Sequence, residues 1–320
     1  MKAIVYTKYG SPNILQLKEV EKPEPKHNEI LIRIKATAVN SGDIRLRKAD
    51  PFAVRFFFGL FKPKINILGG VFSGEIERIG SEVQRFKVGD EVFGHTDMSF
   101  GAYAGYNCFQ ENGSIALKPA TITHQEAAVI PFGGVTALHF LKKATIQQGQ
   151  KVLIFGASGA VGTAAVQLAK HFGAIVTGVC STANIDLVQS LGADMVIDYT
   201  KQDFTKNGET YDVIFDTLNK MSISDSLRSL KSCGTLILSA AGLKEMFEAN
   251  WKSITSSKKI KVVTGIISHS AEDINFLKTL IEAGQLKPVI DRTYSLEQMA
   301  EAHAYVEKGH KKGNVAIEIH

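Results

Sequence analysis

The sequence predicts an α/β protein in which a β-rich domain is interrupted by a doubly wound domain built on a parallel sheet. Length is the first ground, because 320 residues exceed one ordinary core and allow two. The second is a change of texture along the chain. Up to about residue 124, Val/Ile-rich runs such as Glu29–Ile34 alternate in period two and are divided by Pro, Gly, Asn and Asp, the pattern of half-buried strands. From Gly149 the runs become short and wholly apolar, and helix-length stretches separate them.

Those runs are Lys151–Phe155, Ile175–Val179, Met195–Ile197, Val213–Phe215, Leu236–Leu238 and Ile260–Val263. Strands without polar alternation are buried on both faces, as in a parallel sheet covered by helices. This is a doubly wound, nucleotide-binding architecture. The tail changes pattern again, with a helix near Asp273–Ala283, a strand near Val289, a helix near Leu296–Lys308 and a last strand Val315–Ile319. Too short to bury a core alone, it is assigned to the first domain. The expected domains are therefore 1–124 with 269–320, and 125–268 between them, with a site expected in the cleft.

Composition points to a globular enzyme, with 44% apolar and 22% charged residues. The net charge of +5 comes from Lys and Arg spread along the chain, which argues against a nucleic-acid patch and favours an anionic small ligand. The start, Met1–Gly10, reads as a strand of the fold rather than a targeting leader, and no run is apolar for long enough to cross a membrane. A cytoplasmic protein with no membrane partner is expected. Cys108, Cys180 and Cys233 are far apart and odd in number, the usage of reduced thiols.

The strongest local motif is Gly156-Ala-Ser158-Gly159-Ala160-Val161-Gly162, set between an apolar strand and an Ala-rich helix. Gly156 permits a tight turn, Gly159 lets backbone approach a pyrophosphate, and Gly162 allows the helix to pack on the strand. The helix N-terminus then offers N–H groups to phosphate. An NAD site places an acid about 20 residues further on, to hold the ribose hydroxyls. Here the second strand runs out through Cys180, Ser181, Thr182, Ala183 and Asn184, without a carboxylate. Ser181 and Thr182 can donate to a 2′-phosphate, so NADPH is favoured over NADH. Ala183 brings no cation, and the charge is left to Tyr199 and Lys201, or to Lys311 and Lys312 in the tail.

With these residues in place, the chain resembles the medium-chain dehydrogenase/reductase superfamily along essentially its whole length, and most of all its zinc-free quinone oxidoreductase (zeta-crystallin-like) group. The matching stretches include Ala38–Asp43, Phe72–Gly80, Phe86–Gly94, Phe100–Ala104, Ala127–Pro131, Gly134–Ala137 and Gly156–Gly173. The resemblance implies a GroES-like β domain, an inserted Rossmann domain and a homodimer or larger assembly. It also implies that Asn40 and Thr136 lie near the nicotinamide, with Leu218, Gly242, Ile267 and Asn314 along the rest of the cofactor cleft.

Zinc dehydrogenases of this superfamily would carry their first Cys ligand near Ser41 or Gly42 and a His at Gly69-Gly70-Val71, and neither ligand is present. His95, Cys108 and the other scattered histidines show no ligand spacing, so no zinc is expected. Without a Lewis acid, the accessible chemistry is reduction of an electron-poor acceptor, a quinone or an α,β-unsaturated carbonyl. Asn40 is the first candidate to donate a hydrogen bond to the acceptor oxygen, against a capping role for its amide, and His95 is the second. Tyr103 and Asp43 read as structural, Asp43 capping a helix or orienting Arg45. Five phenylalanines between Pro51 and Pro63 are expected to form a greasy lid, a core element or an oligomer contact. The competing functions are an NAD(P)-dependent alcohol dehydrogenase and a non-catalytic NADPH-binding sensor or structural protein.

Overall fold

The computed structural model describes residues 1–320, the side chain of Leu243 excepted. Along the chain the elements are β1 Lys2–Val5, β2 Gln16–Glu19, β3 Glu29–Val39, α1 Ser41–Lys48, α2 Val54–Phe58, β4 Val71–Ile79, β5 Glu91–His95, β6 Tyr106–Gln110, β7 Ile115–Leu117 and α3 His124–Ala144. Next come β8 Lys151–Phe155, α4 Ala160–His171, β9 Ile175–Cys180, α5 Ile185–Ser190, β10 Met195–Asp198, β11 Tyr211–Asp216, α6 Ile223–Ser229, β12 Leu230–Leu238, α7 Leu243–Thr255 and β13 Lys261–Val263. The tail adds α8 Ala271–Glu282, β14 Ile290–Ser295, α9 Met299–Glu307 and β15 Asn314–Glu318.

Two compact units result. One comprises Met1–Phe132, His269–Gly284 and Pro288–His320, and the other Gly133–Ser268 with Gln285–Lys287. The first is organised by a seven-stranded sheet in the order β14-β15-β3-β4-β5-β7, with β6 paired to β3. Alternation in β3 sends Ile30, Ile32 and Ile34 into a core shared with Phe72, Ile76, Val92 and Tyr103. From the tail, Leu296, Met299, Val315 and Ile317 join the same core. The return of the tail follows from β15, which pairs antiparallel with β3 through Val315–Val39 and Ile317–Thr37.

The second unit is a six-stranded parallel sheet ordered β10-β9-β8-β11-β12-β13. The order reverses direction after β8, so β8 and β11 flank the switch point, where such folds bind ligands beyond the carboxyl ends of their strands. Strand residues Leu153, Val179, Ile214 and Leu236 are buried, as the absence of polar alternation requires. Gln285–Lys287 goes with this unit through Gln167, whose side chain accepts the Lys287 N–H and donates to the Lys287 carbonyl. Among the described residues no helix is long and apolar enough to cross a membrane.

Candidate active site

In the second unit the chain leaves β8 at Phe155 and turns through Gly156–Gly159 into α4. Gly156 has φ +78°, and a Cβ there would lie 2.7 Å from Leu218 Cγ and Thr217 Oγ1, so only glycine serves. At Gly162 a Cβ would come within 2.1 Å of the Gly156 carbonyl oxygen, which is how closely α4 rides on the turn. Gly159 differs, since an added Cβ would meet only Gly156 O, at 3.5 Å. No side chain caps α4 there. The N–H groups of Ala160, Val161 and Gly162 therefore have no intrahelical acceptor and point out of the positive end of the helix. Beside this turn Asn184 is buried and donates to Ser158 Oγ (3.2 Å) and Ser181 Oγ (3.1 Å), while its own Oδ1 has no partner. An anion cradle next to a bare buried acceptor fits the diphosphate and sugar of a dinucleotide.

The surroundings of Thr182 differ from the sequence expectation. Its hydroxyl donates to Asp198 at the end of β10, the strand that registers Asp198 beside Cys180. Hydrogen bonds from Thr182 and Thr200, with the Lys201 ammonium 3.7 Å away, hold the Asp198 carboxyl down at about 2 against the cost of desolvation. The carboxylate missing from the end of β9 is thus supplied by its neighbour, and Thr182 has committed its proton. Ser181 keeps its hydroxyl hydrogen, and Tyr199 and Lys201 are exposed.

Of the other cofactor candidates in this unit, Leu218 lies on a loop tied down by Asp216, which accepts the N–H groups of Leu218, Asn219 and Met221. Thr136 is buried in α3, Gly242 is the N-cap of α7, and Ile267 is half-buried. Asn314, in the first unit, is buried and donates to Val289 O, and the Lys311 ammonium donates to the Gly313 carbonyl. Lys312 is exposed.

The first unit contains a pocket of about 290 Å³ whose walls include Asn40, Leu46, Val54, Phe58, Gly70, His95, Phe100 and Phe132. Asn40 caps α1, its Oδ1 accepting the N–H groups of Gly42 (2.8 Å) and Asp43 (3.2 Å), while Asp43 accepts the Asn40 N–H in return. Capping and catalytic readings of Asn40 are therefore compatible, because the oxygen is spent on the helix and the amide nitrogen is left over. His95 ends β5, and its Nδ1 accepts the Asp97 N–H at 2.9 Å, so the neutral ring carries its proton on Nε2. A Cβ placed on Gly70 would sit 3.7 Å from Asn40 Nδ2 and 3.8 Å from His95 Nε2. Two N–H donors thus converge on one point beside a glycine with no side chain to fill it.

Beneath them Asp43 also accepts the Gly69 N–H (3.2 Å), pinning the bend that leads through Gly70 into β4. Its complete burial raises its carboxyl to about 6, despite hydrogen bonds from Asn40, Tyr103, Gly69 and Gly70. Burial, then the charge of Asp43, pushes the Tyr103 phenol well above its usual range, which leaves it a packed donor rather than an acid. The aromatic lid is only partly realised. Phe58 lines the pocket, but Phe52, Phe56, Phe57 and Phe61 are exposed, Phe61 by 88%.

The alcohol dehydrogenase GroES-like domain family matches residues 26–139, and a family described as zinc-binding dehydrogenase matches 191–317. A 2-methylene-furan-3-one reductase of Solanum lycopersicum is 32% identical, over 99% of this chain and 79% of its own length. An NADPH-dependent alkenal/one oxidoreductase, chloroplastic, of Arabidopsis thaliana is 30% identical over the same shares. The solved quinone oxidoreductase from Coxiella burnetii superposes with a TM-score of 0.90 at 29% identity, covering 100% of this chain and 99% of that one. The chain belongs to the medium-chain dehydrogenase/reductase superfamily.

In this medium-chain dehydrogenase/reductase the superfamily's zinc positions do not fit the metal. Ser41, Gly42, Gly69, Gly70 and Val71 offer none of the thiolate or imidazole donors that such a site needs. One sequence expectation is corrected, however. His95, with Asp97, comes together with His269, their ligand atoms all within 4.8 Å of one another. The 174 positions between His95 and His269 hid that grouping from any spacing rule. Asn184, Asp198 and Gly70 were missed too, since each has its role through a tertiary neighbour rather than a motif.

Proposed function

We propose that this protein is an NADPH-dependent oxidoreductase that reduces quinones or α,β-unsaturated carbonyl compounds without a catalytic metal. The observation that carries the reading is the pair of donors, Asn40 Nδ2 and His95 Nε2, aimed at one point beside Gly70 in an apolar pocket. NADPH, when bound, supplies the hydride. As hydride reaches the acceptor, negative charge develops on the acceptor's oxygen, and donors already in position stabilise it without reorganisation. Asn40 cannot flip without losing its two capping bonds, and the Asp97 N–H fixes the His95 tautomer, so both donors are preorganised. Leu46, Val54, Phe58 and Phe100 keep the surroundings apolar, which excludes water and strengthens both hydrogen bonds. The proton that completes the reduction is drawn from solvent.

In the second unit, Ala160, Val161 and Gly162 are assigned to the diphosphate, and Ser158, Ser181 and Asn184 to the sugar. NADPH is preferred on the strength of the Ser181 donor and of the relative whose name specifies NADPH. A cytoplasmic homodimer belongs to the same proposal, to be checked by fractionation and sedimentation. The deciding experiment mixes the protein and NADPH with benzoquinones, ortho-quinones and enones, with and without a chelator, and follows the near-ultraviolet absorbance of the reduced nicotinamide. Acceptor-dependent loss, unchanged by chelator, is expected. NADPH binding with no such loss across the panel overturns the reading in favour of a sensor, and loss of turnover on chelation overturns its metal-free character.

A further inference from the structure

We propose that His95, Asp97 and His269 form a binding site for one divalent transition-metal ion, separate from the positions where zinc dehydrogenases of this superfamily hold theirs. All three residues belong to the first unit. His95 closes β5, Asp97 follows two residues later in the left-handed region at φ +51°, and His269 immediately precedes the cap of α8. Tetrahedral zinc, with bonds of about 2.1 Å, wants its ligand atoms roughly 3.4 Å apart. The separations here are all within 4.8 Å, a shortfall on the scale that χ rotations of two imidazoles and a carboxylate span.

The donor set selects the class of ion. Two imidazoles and one carboxylate suit Zn²⁺, Co²⁺, Ni²⁺ or Fe²⁺ and leave coordination positions for water, whereas Ca²⁺ and Mg²⁺ want a shell of oxygens. The carboxylate is prepared for the task. Ser114 Oγ donates to Asp97 Oδ1 at 3.0 Å, which orients it as supporting hydrogen bonds orient metal ligands.

The two imidazoles are stacked, with centroids 3.8 Å apart and planes within 15°. In that arrangement their in-plane lone pairs run side by side. One ring must therefore swing out of the stack to share an ion. If His95 binds through Nε2, the metal replaces the proton that faces Gly70, and if through Nδ1, the Asp97 N–H bond is lost. Binding through Nε2 takes away one of the two donors and so slows reduction, whereas binding through Nδ1 leaves the Nε2 proton in place. This consequence rests on the role given to His95 under the proposed function, but the site itself does not.

The test titrates the metal-free full-length protein with Co²⁺, reading the visible bands of the ion and the stoichiometry by calorimetry, and then displaces it with Zn²⁺. One ion per chain is expected, with Co²⁺ bands stronger than those of the aqueous ion. Asp97→Ala and His269→Ala should each weaken affinity at least about tenfold. His27→Ala, a surface imidazole remote in sequence, should leave it unchanged. Melting curves in chelator establish that the variants fold, and His269→Gln replaces His269→Ala if the latter does not. Binding indifferent to Asp97 and His269, or Co²⁺ spectra of the free ion only, overturns the site. A further arm adds Zn²⁺ to the turnover assay, where chelator-reversible inhibition marks binding through Nε2. A bound ion that leaves turnover untouched supports the site with His95 held through Nδ1, and His95→Phe then tests the donor role by itself, so the two readings fail separately.

Discussion

In the second unit the groups proposed for the diphosphate lie within seven consecutive positions, Gly156–Gly162, and they are backbone N–H groups. In the first unit the groups around Gly70 come from Asn40, from the strand end at His95 and from the aromatic walls Phe58 and Phe100, and they are side chains. A backbone cradle tolerates any residue that keeps the path of the chain and fails when a Cβ blocks that path. A side-chain donor pair fails on loss of a single atom, with the fold intact. Under the proposed function, binding rests on one unit's geometry and rate on the other unit's chemistry, and each half of that proposal can be broken.

The largest effect is expected at Gly162. In Gly162→Val the new Cβ would meet the Gly156 carbonyl at 2.1 Å and Ala157 backbone at 2.8 Å. Overpacking of this kind costs about 1–3 kcal/mol or more of stability, and NADPH affinity, read by fluorescence titration, should fall beyond measurement. Retained affinity would mean that the cradle is not the diphosphate site. Next is Gly70→Ala, which puts a methyl at the point where the donors meet, at ordinary contact distances of 3.7 Å and 3.8 Å. The melting temperature and NADPH affinity should hold while kcat/KM falls about 10²-fold, the scale of losing an oxyanion donor. His95→Phe should do the same, and normal turnover in both would remove the donor pair.

A smaller, directional effect concerns Asp43, whose carboxyl is raised from 3.8 to about 6. The native state holds this proton where the unfolded chain has released it, so its contribution to stability is full below about 4 and is lost as pH rises towards about 6. Turnover should run the other way, rising through the same window, because the ionised carboxylate is the better acceptor for the Asn40 and Gly69 N–H groups. Comparing parent with Asp43→Asn in paired melting and rate profiles isolates this group, and parallel trends would contradict its positioning role. Smallest is Asp198→Asn, which removes the buried anion beside Thr182. The preference for NADPH over NADH should sharpen by less than about tenfold, since Thr182, Thr200 and the Lys201 ammonium already offset this charge. A shift towards NADH would show that Asp198 does not face the 2′ position.

The same contrast explains what could be read from sequence. The parallel sheet and the glycine turn were legible because both are local: apolar runs such as Lys151–Phe155 and three glycines carry their meaning in their neighbours. Asn40 and His95 became candidates through resemblance and through the chemistry of their side chains. Gly70, Asp97 and His269 were not legible, because a glycine that leaves room and a histidine 174 positions from its partner have no local signature. The phenylalanine segment left lid, core and oligomer-contact readings open because counting apolar residues gives no direction. Helix α2 has only five residues, and Val54 and Phe58, one turn apart, are the pair that shares the inward face. Asp198 was missed for a related reason, since strand order rather than sequence put it beside Thr182.

Strand β15 sits between β14 and β3, one strand in from the edge of the first unit's sheet. During synthesis, β3 emerges from the ribosome more than 270 residues ahead of the neighbour that will flank it at Val315–Val39. The parallel-sheet unit, nearly all of whose residues run from Gly133 to Ser268, can fold within that interval, as domains do when they leave the ribosome in turn. The older half of the nascent chain must meanwhile wait with an unpaired strand edge, which makes it the natural client of a chaperone and the place where translational pauses or carboxy-terminal nonsense mutations would do most harm.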